Sequence, residues 1–86
     1  MTMEKITSPI VEGIFPPEQA IALISDLYAV KIRFHELMIQ GNDLEEDIKM
    51  RERKIKNLRD MCENLIASIK CSNKPVILKG WIELSR

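Results

Sequence analysis

Two long segments with a repeating pattern of apolar residues are separated by only three residues, Gln40, Gly41 and Asn42. In the first segment, over 17–40, apolar side chains recur at alternating steps of three and four, which is the spacing of one helical face. The second segment, over 43–70, repeats that spacing. A link this short makes the two helices antiparallel neighbours. The sequence therefore predicts a mainly α fold built on an antiparallel two-helix hairpin.

Local signals place the ends of the two helices. Pro17 suits a first helical position, because its missing N–H would have no partner there. Gly41 is the expected left-handed residue that ends the first helix. Asn42 and Glu45 have the spacing of a capping box, so we expect Asn42 to cap the second helix.

Apolar residues on either side of the hairpin predict short N- and C-terminal β-strands. The arm over 1–15 is extended, and Pro9 within it lacks a backbone donor, so a strand here lies at an edge or is interrupted. The segment over 76–84 alternates as a strand does, and Gly80 indicates a bulge. Because both segments leave the same end of the hairpin, they are expected to pair antiparallel. With 86 residues, the chain 1–86 is predicted to be a single domain.

The two predicted helices differ in how much of their circumference is apolar. The first has a heptad seam from Ala20 to Leu37 and a second apolar row beside it, whereas the second has only a narrow seam. If the two seams face each other, the second row of the first helix needs another partner. We expect a homodimer, a dimeric four-helix bundle with the first helices at its centre. The predicted dimer interface consists of Ile21, Ile24, Tyr28, Ile32, His35 and Ile39.

A partner-binding face on a monomer is the alternative use of that row. Membrane binding is not expected, because the row lacks a flanking basic face and no run approaches the ~18 apolar residues of a membrane span. Arg51 interrupts the seam of the second helix and is expected beside Val30 and Phe34. We predict that Arg51 fixes the register of the hairpin, with its charged end reaching a carboxylate at the rim or water. The alternative at this position is contact with an anion or phosphate.

Charge gives little support to nucleic-acid binding. The chain has 13 Lys+Arg and 13 Asp+Glu, so its net charge is zero, whereas proteins that bind duplex DNA are usually basic. One basic segment, 49–59, is the exception, and in it Lys49, Arg53 and Lys56 share one side of a helix. These three residues are candidates for an anion or nucleic-acid contact. Without interleaved aromatic residues for base stacking, this function is the alternative and not the leading prediction.

No motif in the chain indicates catalysis. Phosphate-binding loops, nucleophile elbows, paired metal cysteines and zinc-protease spacing do not occur. Cys62 and Cys71 are predicted to be free thiols in a reducing cytoplasm, and the N-terminus has no basic segment followed by an apolar run, as a secretory signal would. The sequence therefore predicts no enzyme activity, cofactor or metal. It favours a non-enzymatic protein–protein interaction or scaffold protein that acts through homo-oligomerisation.

One stretch of the first helix also carries a family resemblance. The residues concerned are Phe15, Ala20, Leu27, the run Lys31-Ile32-Arg33-Phe34-His35-Glu36-Leu37, Arg51, Ile55 and Leu58. With them the chain resembles, over residues 12–70, a group of short bacterial proteins of the Bacteroides lineage. The group shares a KIxFH-like first helix and a charged second helix. The resemblance implies a helical hairpin in a cytoplasmic bacterial setting and no activity.

Overall fold

The computed structural model describes residues 4–86 and contains two strands and two helices in the order β1–α1–α2–β2. Their bounds are Lys5–Phe15 for β1, Pro17–Gln40 for α1, Glu45–Ser72 for α2 and Val76–Ser85 for β2. The predicted hairpin with terminal strands is confirmed. The first helix has the expected bounds, the second is displaced by two residues, and residues 1–3 of the predicted arm lie outside the described residues.

The two strands form one antiparallel ribbon beside the base of the hairpin. Phe15 pairs with Val76 where the strands leave the helices, and the register shifts between Pro9 and Val11. β1 is an edge strand, as Pro9 predicts, and it is continuous; the irregularity is a shift of register that lies beside Gly80 on the other strand. A Cβ atom at Gly80 would approach Cγ1 of Val11 to 3.2 Å, so the close approach of the strands here depends on glycine.

The closed part of the apolar core is small and lies where the ribbon meets the helices. Ala20 is fully buried there, and Ile24 and Ile69 are nearly so. The half-buried side chains around this cluster are Phe15, Ile21, Tyr28, Cys62, Val76 and Leu78. Within residues 4–86, no large side chain is completely buried. The molecule is a thin plate of 45 × 37 × 14 Å, about one helix thick.

The two apolar rows of α1 are placed the opposite way round from the sequence expectation. From Leu27 onward the heptad row is turned outward, and Val30, Phe34 and Leu37 are more than half exposed, whereas Ala20 is buried and Leu23 is half-buried. The other row lies against α2, with Ile24 packed on Ile69. Of the six residues predicted for a dimer interface, two are buried within the chain and the other four are half-buried, and their role in a dimer stays a prediction. The residues concerned are Ile21, Ile24, Tyr28, Ile32, His35 and Ile39.

The physical reason for this reversal is that the inward row makes favourable contacts with both the strands and α2. It places Ile24 beneath the strands and His35 opposite Arg51 of α2. The heptad row from Leu27 to Leu37 contains no side chain that accepts a hydrogen bond from the guanidinium. Periodicity alone does not distinguish two apolar rows on the same helix.

The helix ends differ from expectation at the turn. Gly41 ends α1 with φ −98° and ψ 10°, so it is not left-handed, whereas Asn73 ends α2 with φ 49° and ψ 35°. The residue before α2 is Leu44, and its backbone N–H donates to Oδ1 of Asn42 at 2.8 Å. Asn42 therefore orders the four-residue turn 41–44 and does not cap the helix.

Alanine substitutions at Gly41 and Asn73 test these backbone angles. Gly41→Ala is expected to raise the free energy of unfolding by about 0.4–1 kcal/mol, because alanine adopts this conformation and restricts the unfolded chain. Asn73→Ala is expected to lower it by about 1 kcal/mol, because asparagine, with a short polar side chain that hydrogen-bonds locally, adopts the left-handed conformation more readily than alanine. Urea denaturation measures both. A comparable loss for Gly41→Ala would show that Gly41 is left-handed after all.

Candidate functional site

A polar pair joins the two helices in the half of the hairpin that is nearer to the turn. Nη1 of Arg51 lies 2.9 Å from Nδ1 of His35, which is itself only 8% exposed. Because a guanidinium only donates, Nδ1 accepts, and the ring proton of neutral His35 is on Nε2. The guanidinium also lies 5.9 Å from the centre of the Phe34 ring. Arg51 is thus beside Phe34, as expected, but its charged end reaches His35 rather than a carboxylate.

Several cations surround His35. Burial lowers the pKa of His35 below its ordinary value, and the positive charges of Arg51, Lys54 and Lys31 lower it further. His35 is therefore neutral at pH 7. On the other side of the pair, Nε of Arg51 is buried without a hydrogen-bond partner. The charge at this point of the hairpin is positive and uncompensated.

Two adjoining cavities open on one side of the hairpin. The first, of about 250 Å³, is lined by Lys31, His35, Lys54, Asn57 and Leu58. The second, of about 260 Å³, is mostly apolar and shares Lys31 and Leu58 with the first. Neither cavity has a carboxylate in its lining. The second is completed by Ile10, Leu27, Tyr28 and Met61.

The exposed apolar row of α1 lies next to the two cavities. Phe34 lies two helical turns after Leu27, on the same helical face, and Val30 and Leu37 extend the row around α1. We call the side with the two cavities, together with this row, the open face. The opposite side is mixed in charge, and there Arg59 and Glu36 approach within 3.9 Å. The two sides of the plate therefore differ in chemistry.

The basic residues predicted from the sequence lie elsewhere on α2. Lys49, Arg53 and Lys56 line one groove, as their spacing predicts, but Glu52 lines it with them. Nζ of Lys49 is also paired with Oε1 of Glu45 at 3.3 Å. This groove is thus partly neutralised, in contrast to the cavity at His35. A contact with nucleic acid through these three residues stays a prediction.

The remaining chemical groups form no further site in the described part of the chain. Cys62 and Cys71 are free thiols, about 13 Å apart along α2, too far to bridge. Within residues 4–86, His, Cys, Asp and Glu side chains do not gather in threes as metal ligands would. The helices described here are too short or too polar to cross a membrane.

Comparison with family models, curated proteins and solved structures finds no match to this chain. The resemblance of α1 to the Bacteroides-lineage group therefore stays a prediction. Any functional argument depends on the geometry of the chain itself.

The pairing of His35 with Arg51 is the part of the site that sequence reasoning missed. A signal for it was present, because an arginine in an apolar seam needs an acceptor on the facing helix. Only Tyr28 and His35 in the inward row carry one, and His35 is the closer to the turn, as Arg51 is. This matching also identifies which row of α1 faces α2.

Removing Arg51 is expected to destabilise the hairpin modestly. Arg51→Leu leaves Nδ1 of His35 buried without a donor, which corresponds to a loss of about 1 kcal/mol. The double variant Arg51→Leu with His35→Leu is expected to recover that loss, because both polar partners are replaced by apolar groups. Urea denaturation of four proteins, the natural chain, the two single variants and the double variant, completes a double-mutant cycle. Additive effects of the two substitutions would contradict the contact.

Stability is expected to fall on acidification from pH 7.5 to 5.5. Unfolded His35 takes up a proton near pH 6.5, whereas the lowered pKa of folded His35 resists protonation. The unfolded state then binds more protons, so the stabilising contribution is complete above the unfolded pKa and is lost as the pH falls. Because the chain has 1 histidine, His35→Gln should flatten the dependence. Greater stability of the natural chain at pH 5.5 would reverse this conclusion.

Proposed function

We propose that the protein is a non-enzymatic interaction or scaffold protein that acts as a homodimer, with the open face as its interface. The observation that carries this proposal is the surface of the single chain. It exposes 7150 Å², whereas a self-contained protein of its mass exposes about 5,200 Å². Its radius of gyration is 16.1 Å, against about 12 Å for a compact chain of this length.

The excess surface agrees with the size of a stable dimer. It amounts to about 2,000 Å² for each chain, more than the ~800 Å² that one partner contributes to a standard interface. The excess beyond that standard is typical of obligate homodimers, whose subunits complete each other's core. The partner that we propose for the open face is a second copy of the chain. Because the net charge of the chain is zero, two copies do not repel each other overall.

The apolar side chains on the open face supply the contact. Val30 is 71% exposed and Phe34 is 56% exposed, and Leu37 lies on the same row of α1. On α2, Met61 and Leu65 are exposed one turn apart. Two plates that meet through these faces enclose an apolar layer between four helices. The four-helix bundle predicted from the sequence is thus kept in this proposal, with the heptad row at its centre.

The terminal ribbon also favours assembly. A two-stranded sheet alone is marginally stable in water, and this one exposes Ile77, Trp81 and Ile82. Coverage of these side chains by the partner chain or by the protein that the dimer recruits would stabilise the ribbon. A cytoplasmic bacterial setting, as the sequence predicts, is part of the same proposal.

A single added charge tests the interface. The natural chain is expected to show about twice the monomer mass of 10.0 kDa in light scattering at micromolar concentration. Val30→Glu should dissociate the dimer, because an unpaired carboxylate would be buried between the chains. Ala29→Glu is the matched control, since Ala29 is its neighbour on the opposite side of the plate.

Light scattering and far-UV circular dichroism decide the outcome. Light scattering should find Val30→Glu monomeric and Ala29→Glu dimeric, and far-UV circular dichroism should show that both remain helical. A natural chain that is monomeric at every concentration would refute the dimer. Equal dissociation by both substitutions would place the interface elsewhere than on the open face.

A further inference from the structure

We propose that the cavity lined by Lys31, His35, Lys54 and Asn57 binds a small oxyanion, of which inorganic phosphate is the simplest representative. The cavity lies between the two helices, on the open face, and has a volume of about 250 Å³. It is distinct from the groove at Lys49, where carboxylates accompany the basic residues.

The first argument is the imbalance of charge around the cavity. Lys31, Arg51 and Lys54 all act on His35 as positive charges. Within the described residues 4–86, none of the three forms an ion pair. Lys31 and Lys54 are exposed, and the lining of the cavity beside them provides no counter-charge. A bound anion would supply it.

The second argument is that the available groups are donors. Arg51 occupies Nδ1 of His35, so Nε2 carries the proton, and this donor makes no hydrogen bond within the described chain. The ammonium groups of Lys31 and Lys54 donate only, and the amide of Asn57 adds two N–H donors. Such a set matches the oxygen atoms of an oxyanion, to which charged donors form the stronger class of hydrogen bond.

The third argument concerns the position of His35. It is 92% buried by its 8% exposure, so its donor is held in place by packing and by the Arg51 contact. The cavity therefore has one buried donor, from His35, and two exposed ammonium groups, from Lys31 and Lys54. This arrangement is formed within one chain, and it opens on the face that the proposed dimer covers, so the monomeric form presents it to solvent.

Titration of the Val30→Glu variant with phosphate, followed through the imidazole NMR signals, tests the proposal, because no second copy covers the cavity in this variant. Because the chain has 1 histidine, its ring signals report this site alone. Sodium phosphate replaces sodium chloride at constant ionic strength, so that general screening does not change. We expect a saturable shift of the ring signals in the millimolar range. The pKa of His35 should rise in phosphate, because the anion offsets the charges of Lys31, Arg51 and Lys54.

Matched lysine variants identify the binding residues. Lys54→Gln removes one charge from the cavity and should weaken phosphate binding about tenfold, the loss expected for one charge-assisted hydrogen bond. Lys56→Gln removes the same charge from the same helix outside the cavity and should leave affinity unchanged. Both side chains are exposed, so unchanged melting temperatures will confirm that the variants are folded.

The outcomes separate this proposal from the dimer. A ring signal that does not respond, or responds without saturation, would refute the oxyanion site. Equal weakening by Lys54→Gln and Lys56→Gln would attribute the effect to general charge and refute it as well. The same titration on the natural chain should give weaker binding, because the proposed dimer covers the open face. Binding of equal strength would contradict the open face as the interface and leave the oxyanion site supported. Light scattering reports the dimer independently of all these results.

Discussion

Two helices packed side by side form a single layer, and a single layer cannot enclose a core. The turn over 41–44 brings α1 and α2 together, but each helix contacts only one neighbour along most of its length. Burial is therefore deepest at the base, where the strands cover Ala20 and Ile24. Further along the hairpin, one apolar row is used between the helices and the other faces outward. The thin plate, the exposed row and the open cavities all follow from this arrangement.

Within that single layer, the contact of Arg51 with His35 influences how the two helices are aligned. Most of the seam is apolar and tolerates small shifts of one helix along the other, whereas a donor and an acceptor 2.9 Å apart do not. The contact therefore selects one register, in agreement with the role expected of a polar residue at a seam position. It also brings a guanidinium to a place where two lysines already lie. Positive charge accumulates there as a consequence of how the helices are aligned.

Most of the architecture could be predicted from the sequence, because it depends on local signals. The bounds of α1, the antiparallel hairpin and the edge position of β1 with its Pro9 each follow from spacing or from the chemistry of one residue type. The choice between the two rows of α1 could not be made in this way. Both rows are apolar, so the free energy of burying either is similar, and the decision depends on pairing with Arg51. The cavity was missed for the same reason, because Lys31 and Lys54 come together only when His35 faces α2. At Gly41, the residue type suggested a left-handed angle that a four-residue turn does not require.

The irregularity in β1 has a consequence for aggregation. Both strands of a two-stranded ribbon are edge strands, and a regular edge is a template on which further chains can add. In β1 the register shift at Pro9 breaks the regular row of backbone donors and acceptors, so its edge is a poor template. In β2, Val76–Ser85 contains no proline and its edge is continuous. Each chain therefore has one strand edge, that of β2, to which another chain can add. Addition through that side stops after two chains, which disfavours fibres.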